Sequence, residues 1–198
     1  MKFDLYLVGV GGQGVLTIGD ILAEAARRKG IPVNVYPTEG MAQRGGAVRS
    51  QVRFGRQIVG PQIRVNSADL VIAMELSESL KAVRYVRPGG EFILFGHIWP
   101  PTEVMLGKAQ YPSLEQVENQ IRETGADLIY LDPGEQPVHK DAPMPANVFV
   151  LGAAIGRTRL GSMLDAQTVL DVLVHAWEAD RRRNTEAFHA GLGIPSRV

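Results

Sequence analysis

The stretch LYLVGVGGQGVLTIG, residues 5–19, constrains the fold more than any other part of the sequence. It places an apolar run before closely spaced glycines and apolar residues at helical spacing after them. Residues 9–14 match the G-x-G-x-x-G template of dinucleotide-binding folds. Glycines there allow a tight turn, and the helix that follows points free N–H groups and partial positive charge outward. The stretch therefore predicts a buried strand, a glycine loop and a helix.

Composition limits the chemistry of this 198-residue chain. Lysine plus arginine and aspartate plus glutamate each total 21, so no net charge draws the molecule to nucleic acid or to anionic lipid. The sequence has no cysteine, which excludes disulfides, thiolate nucleophiles and cysteine-ligated iron–sulfur clusters or zinc. Its four histidines lie far apart, and no metal site is expected. Any redox chemistry would need electron carriers on another subunit.

The sequence gives no signal for export or for membrane insertion. Asp4 interrupts the first apolar run, and no small-residue cleavage site follows it. The longest apolar run, residues 148–155, is too short to span a bilayer. We therefore expect a cytoplasmic protein.

Residue periodicity predicts strands and helices that alternate along the chain. The predicted strands are residues 3–8, 31–36, 47–54, 68–74, 91–95 and 128–131. The predicted helices are residues 15–29, 77–86, 114–124, 147–160, 166–179 and 184–190. Ser77 is the expected N-cap of the second helix, and residues 87–90 are expected to form a turn. Ser113 and Gln116 are expected to form a capping box at the start of the third helix. This order predicts an α/β fold, a single three-layer α/β/α domain over residues 1–198 with a mixed, mainly parallel Rossmann-like sheet.

Two strand pairings are expected from the order of the elements. The strands at 3–8 and 31–36 are joined by a helix, which predicts that they pair in parallel. Residues 47–54 alternate between apolar and polar positions, and a glycine turn after them predicts a hairpin with a strand at 57–59. That hairpin would make the sheet mixed.

A dinucleotide site needs more than the glycine template. It also needs an acidic residue at the end of the second strand, about 20 residues further on, to hold the ribose hydroxyls. The nearest acid, Glu39, follows Pro37 and lies in another glycine-rich segment, so it is displaced from that position. The pattern alone leaves three alternatives open: a dinucleotide site, a site for another anion, and a purely structural turn.

Two longer segments are more specific than the six-residue template. They are VGVGGQGVLTIGDILAEAA at residues 8–26 and TEGMAQRGGAVRSQVRFG at residues 38–55. Together they resemble the gamma subunit, or gamma domain, of the 2-oxoacid:ferredoxin oxidoreductases, and most of all the beta subunit of indolepyruvate ferredoxin oxidoreductase. The similarity continues at residues 70–74, 88–90, 147–152 and 184–188. It implies a fold like domain III of pyruvate–ferredoxin oxidoreductase.

The resemblance also implies a reaction and partners. Enzymes of this family decarboxylate a 2-oxoacid on thiamine diphosphate, pass two electrons through iron–sulfur clusters to ferredoxin and transfer the acyl group to coenzyme A. This sequence has neither the segment that holds Mg²⁺ and thiamine diphosphate nor cysteines for clusters. Thiamine diphosphate, Mg and the 4Fe-4S clusters are therefore expected on a larger alpha subunit, which also connects the chain to ferredoxin. A homodimer of this chain is also expected.

The resemblance and the chemistry of the glycine loop together give the candidate binding residues. They would contact coenzyme A, the co-substrate of the complex, or the partner's cofactor at a subunit interface. The residues are Gly11, Gly12, Gln13, Gly14, Thr38, Glu39, Gln43, Arg44 and Gly45. Arg44 could add a bidentate contact to a phosphate. No catalytic residue and no metal ligand is expected on this chain.

Three further charged residues have two interpretations each. Arg49 and Arg53 share one face of their strand and either meet an acidic partner surface or form a solvated face. Glu75 follows a buried strand, where it either contributes to a site or only precedes the cap of the next helix.

Two other functions remain open from the sequence. One is a stand-alone Rossmann protein that binds NAD or FAD. The other is a ligand-sensing or scaffold module without catalysis. The leading hypothesis is a subunit without cofactors of an oxidoreductase complex that converts an aryl-2-oxoacid, coenzyme A and ferredoxin.

Overall fold

The computed structural model describes residues 1–39, 46–139 and 142–193. The strands in these ranges are β1 Phe3–Val10, β2 Val33–Glu39, β3 Ala47–Phe54, β4 Ala68–Ala73, β5 Val86–Phe95, β6 Asp127–Leu131, β7 Val138–His139 and β8 Ala142–Pro143. The helices are α1 Val15–Arg28, α2 Leu76–Ala82, α3 Thr102–Met105, α4 Leu114–Glu123, α5 Ala146–Arg157, α6 Ala166–Ala176 and α7 Arg181–Gly193. None of the described helices is long and apolar enough to cross a membrane.

Six strands form one mixed sheet in the order β2-β3-β1-β4-β5-β6. Strands β1, β4, β5 and β6 pair in parallel, whereas β3 runs antiparallel to both of its neighbours, β1 and β2. Strands β7 and β8 form a separate two-stranded ribbon. The predicted α/β fold with a mixed, mainly parallel sheet is confirmed.

Two predicted strand pairings are wrong. Strand β2 does not pair with β1, because β3 lies between them and pairs with both. Residues 57–59 are not a strand. The segment that contains them instead crosses the polar face of β3, where Arg53 Nη1 donates to Gly60 O at 2.9 Å and Ile63 N donates to Gln51 Oε1 at 2.6 Å. Side-chain hydrogen bonds to this segment replace the predicted strand ladder.

Helices cover the two faces of the sheet unequally. Helices α1, α5, α6 and α7 build the larger core on one face, and α1 packs on β1, β2 and β3. On the other face, α2 packs on β1, β4 and β5, and α4 packs on β6. On this second face, β2 and β3 therefore have no major packing contact with a helix.

Two local predictions are also corrected. Helix α2 begins at Leu76, and its N-cap is Glu75 rather than Ser77, because the Glu75 side chain accepts from the backbone N–H of Glu78. The predicted turn at residues 87–90 lies inside β5, where the pairing with β4 shifts register. The predicted capping box of Ser113 and Gln116 is present at the start of α4.

Helices α5 and α7 touch backbone to backbone. A Cβ atom at Gly152 would lie 2.1 Å from Phe188 O, and one at Gly191 would lie 2.0 Å from Phe149 O. Both phenylalanines are fully buried. Only glycine permits this approach, so the two helices are held closer than side chains would allow.

Replacement of Gly191 by alanine tests this contact. We expect Gly191→Ala to lower the free energy of unfolding by about 1–3 kcal/mol, because the added methyl overpacks the helix interface. Gly193→Ala is the matched control, since a Cβ atom at Gly193 would meet nothing within 4 Å. It should be neutral or slightly stabilising. Equal denaturation midpoints for the two variants would contradict the close contact.

An exposed ion pair joins α1 to α6. Lys29, the C-cap of α1, places Nζ 2.5 Å from Oδ2 of Asp165, the N-cap of α6. The hydrogen bond from Lys29, followed by those from Thr168, holds the pKa of the Asp165 carboxyl well below its usual range. The pKa of Asp165 is lower in the folded state than in the unfolded state, so its ionised carboxylate stabilises the fold. This stabilisation is complete above the unfolded-state pKa of Asp165 and is lost as the pH falls towards the folded-state pKa.

Removal of the Asp165 carboxylate tests this linkage. We expect Asp165→Ala to cost about 1 kcal/mol at neutral pH, a figure that already discounts the exposed ion pair. The difference from the unmodified chain should shrink when denaturation is measured below about pH 4. Asp171→Ala on the same helix, where the carboxylate accepts only from Gln167 among the described contacts, should show no such change with pH.

Candidate functional site

A cavity of about 320 Å³ lies where the carboxyl ends of β1, β4 and β5 meet. Because these strands are parallel, the segments that follow them lie at the same edge of the sheet, which is the usual ligand-binding edge of α/β folds. The cavity is lined by Gly12, Gln13, Gly14, Met74, Phe95, His97, Pro145, Ala146 and Asn147.

The glycine loop needs glycine at several positions for different reasons. Gly12 and Gly14 have φ angles of 97° and 72°, in the left-handed region. A Cβ atom at Gly14 would also lie 2.4 Å from Asn147 Nδ2, so the amide of Asn147 covers this position. A Cβ atom at Gly9 would lie 2.7 Å from Gln13 Oε1. The glycines thus give room to the side chains of Gln13 and Asn147.

The Gln13 amide connects the ends of three strands. Its Oε1 accepts from Val10 N at 2.9 Å, and its Nε2 donates to Met74 O at 2.9 Å. Nε2 also lies 3.2 Å from His97 Nδ1. An amide nitrogen can only donate, so Nδ1 of His97 accepts and the proton of the neutral imidazole is on Nε2. The histidine can therefore donate one hydrogen bond to a ligand.

Two helices begin at the cavity without a side-chain cap. The residues before α1 and α5 are Gly14 and Pro145, and neither supplies a side-chain hydrogen bond to the helix N–H groups. By contrast, α2, α4 and α6 are capped by carboxylate or hydroxyl oxygens. Free N–H groups and the positive ends of two helix dipoles therefore face one small cavity. This arrangement favours a phosphate or a carboxylate.

The fully buried carboxylate of Glu75 fixes the segment after β5. It accepts hydrogen bonds from Ser77 Oγ at 2.8 Å, Glu78 N at 2.7 Å, Trp99 N at 3.2 Å and the hydroxyl of Tyr111. Burial, together with the hydrogen bond to Glu75, raises the pKa of Tyr111 to about 12. Glu75 thus acts through its neighbours and does not line the cavity.

An exposed apolar patch lies on the segment that continues from His97. It consists of Ile98, Trp99, Met105 and Leu106, which are 58%, 49%, 69% and 63% exposed. The ring of Trp99 stacks on His97, with centroids 6.3 Å apart. The patch is therefore joined directly to a residue that lines the cavity.

The structure brings some of the predicted site residues together and separates others. Gly12, Gln13 and Gly14 line the cavity, and Gly11 N donates to Gly46 O at 2.9 Å. Thr38 lines a different groove on the face of β2. Glu39 is the last residue of β2, and its side chain is not described. Predicted site residues outside the described ranges are Gln43, Arg44 and Gly45.

The sequence reasoning missed His97 and Asn147. His97 follows β5 by two residues, so the rule that places sites after parallel strands could have indicated it. Asn147 lies in the first turn of α5, far along the chain from the glycine loop, and no local pattern predicts that contact. No group of three or more metal-binding side chains occurs among the residues that the structure describes.

Comparison with known proteins agrees with this architecture. Residues 4–194 match the sequence profile described as pyruvate ferredoxin/flavodoxin oxidoreductase. Indolepyruvate oxidoreductase subunit IorB of Pyrococcus horikoshii is 31% identical over 173 residues, which cover 87% of this chain and 85% of the relative.

Solved structures share the fold at lower identity. The pyruvate oxidoreductase subunit PORC of Thermotoga maritima superimposes with a TM-score of 0.69 at 19% identity, over 96% of this chain and 95% of that one. The 2-oxoglutarate:ferredoxin oxidoreductase of Magnetococcus marinus, with 2-oxoglutarate, coenzyme A and succinyl-CoA bound, gives 0.63 at 20% identity, over 96% of this chain and 30% of that one. The profile match spans nearly the whole chain, and the chain belongs to the pyruvate ferredoxin/flavodoxin oxidoreductase family.

Proposed function

We propose that this chain is the subunit without cofactors of a 2-oxoacid:ferredoxin oxidoreductase that acts on aryl-2-oxoacids such as indolepyruvate. The observation that carries the proposal is the similarity to indolepyruvate oxidoreductase subunit IorB along 87% of the chain. The complex would convert an aryl-2-oxoacid, coenzyme A and oxidised ferredoxin into aryl-acetyl-CoA, CO₂ and reduced ferredoxin. Residues 1–198 would act as one domain of this cytoplasmic complex.

The reactive groups would reside on a larger alpha subunit. Because the sequence has no cysteine, the 4Fe-4S clusters of such a complex need ligands from another chain. Thiamine diphosphate and Mg would occupy that subunit as well, where the oxoacid is decarboxylated. The residues described here fit an anionic group rather than a metal, since the cavity offers N–H donors and one histidine.

The cavity would bind an anionic part of coenzyme A. The N–H groups at the starts of α1 and α5 suit a phosphate, and His97 Nε2 and Asn147 Nδ2 add neutral donors. At about 320 Å³ the cavity holds only part of this coenzyme. Coenzyme A bound to the Magnetococcus marinus enzyme supports the choice of ligand.

The exposed apolar patch would dock on the alpha subunit. Trp99 and Met105 offer a large ring and an adaptable thioether, which suit a protein interface. Since Trp99 stacks on His97, docking would close the cavity beside its mouth. The site would then be completed only in the assembled complex.

The topology counts against the alternative of a stand-alone NAD or FAD protein. A ribose-binding acid at the end of the second strand must reach the glycine loop after the first. Here β3 separates β2 from β1, which displaces Glu39 by one further strand spacing of about 4.8 Å. The glycine loop thus lacks its usual ribose-binding neighbour.

Co-expression with the alpha subunit tests the proposed function. We expect the complex, and neither subunit alone, to reduce viologen or ferredoxin with aryl-2-oxoacids and coenzyme A. Activity of the isolated chain, or a complex inactive with every 2-oxoacid in a panel, would refute the proposal.

The change Asn147→Asp tests the role of the cavity in the complex. A carboxylate beside the bound anion should raise the KM for coenzyme A about tenfold or more and leave the KM for the oxoacid unchanged. The substitution is isosteric, and an acid in the first turn of α5 does not weaken the helix. Asn119→Asp, at an exposed position of α4, adds the same charge elsewhere and should change neither constant. An unchanged KM for coenzyme A would exclude the cavity while leaving the assignment of the complex intact.

A further inference from the structure

A second groove lies between α2 and the face of β2 and β3 that the helices do not cover. Two cavities of about 650 and 510 Å³ form it, and they share the lining residues Tyr6, Arg49, Arg84 and Tyr85. None of the residues that line these two cavities lines the cavity at the glycine loop. Each of the two cavities is in the size range of small-molecule binding sites.

The polar face of β3 supplies the cationic wall of the groove. Arg53 is occupied, because it holds the buried Asp4 carboxylate in a bidentate pair at 2.9 and 3.0 Å, contrary to both sequence interpretations. Arg49, two residues earlier on the same face, lines both cavities. Among the ion pairs between described residues, none involves Arg49 or Arg84.

Two stacked tyrosines lie in contact with the arginines. The rings of Tyr6 and Tyr85 are 4.2 Å apart and nearly parallel. Arg84 Nη2 donates to the Tyr85 hydroxyl at 3.0 Å, and this hydrogen bond lowers the pKa of Tyr85, with a smaller contribution from Arg49. Two guanidinium groups and a polarised phenol thus favour an anion in the groove.

Glu78 lines the smaller cavity and has one carboxylate oxygen without a hydrogen-bond partner. The residue is only 8% exposed, and its Oε1 accepts from Lys81 Nζ at 2.6 Å. Its Oε2 is buried and has no hydrogen-bond partner in the structure. A buried oxygen of this kind is costly unless a donor reaches it. Because Oε2 is buried in the structure, the carboxylate must turn towards the cavity before a hydroxyl group of a ligand can supply that donor.

We propose that this groove binds a phosphorylated polyol of the sugar phosphate or nucleotide class. The phosphate contacts Arg49 and Arg84, and a sugar hydroxyl donates to Glu78 Oε2. Such a ligand has a phosphate for the two arginines and a sugar hydroxyl for the unpaired carboxylate oxygen. Inorganic phosphate has no sugar hydroxyl. The groove is separate from the coenzyme A site proposed at the glycine-loop cavity, and binding to it can be measured without any enzyme activity.

Calorimetric titration of the full chain with AMP, ribose 5-phosphate and inorganic phosphate tests the site. We expect saturable binding of at least one organic phosphate, at least tenfold tighter than inorganic phosphate. Similar affinities for AMP and ribose 5-phosphate indicate recognition of phosphate and hydroxyl groups. Preference for AMP indicates that the base makes contacts of its own in the groove.

Variants separate the two halves of the site. Arg49→Gln should weaken binding of all three probes at least tenfold. Glu78→Gln should weaken only the hydroxyl-bearing probes, because it replaces the acceptor oxygen with a donor amide. Arg182→Gln, at an exposed arginine of α7, removes the same charge elsewhere and should leave all affinities unchanged.

Three results would overturn the proposal. They are absence of saturable binding of both organic phosphates, equal effects of Arg49→Gln and Arg182→Gln, and equal loss of all probes in Glu78→Gln. Thermal melts of each variant establish that it is folded before its affinity is compared.

Discussion

The antiparallel position of β3 between β1 and β2 is the constraint on which the rest of the fold depends. Strands joined as an antiparallel pair need no crossover helix, so β2 and β3 receive a helix, α1, on one face only. On their other face, polar side chains bind a peptide segment through hydrogen bonds instead. Beyond β1 the sheet is parallel, and helices return on both faces. The sheet therefore has one half whose strand ends form a cavity and one half with a polar open face.

The parallel half concentrates backbone polarity at one edge. Helices α1 and α5 both start there, and Gln13 fixes the relative positions of three strand ends. The site therefore gains its positive character from peptide dipoles rather than from charged side chains. Such a cavity can attract an anion without a charged side chain, in a chain that has no net charge.

The sequence predicted the parts of the structure that depend on local pattern. Strand β1, helix α1 and the capping box at Ser113 follow from apolar spacing and capping residues. The place of β3 could not be predicted, because a period-two strand specifies its buried face but not its neighbours. Likewise, the N-cap role of Glu75 and the contact of Asn147 with Gly14 depend on segments brought together by folding. The residues with charge or amide chemistry near the site were the hardest to predict, since their partners are distant in sequence.

The backbone contact between α5 and α7 has a mechanical consequence for the cavity. Helix α5 lines the cavity with its first turn and meets α7 at Gly152, about 9 Å further along its axis. Main-chain atoms in direct contact have no rotamers with which to absorb a displacement. We therefore expect α5 and α7 to move as one rigid unit. The rigidity of the cavity wall that α5 forms then depends on a helix contact outside the cavity.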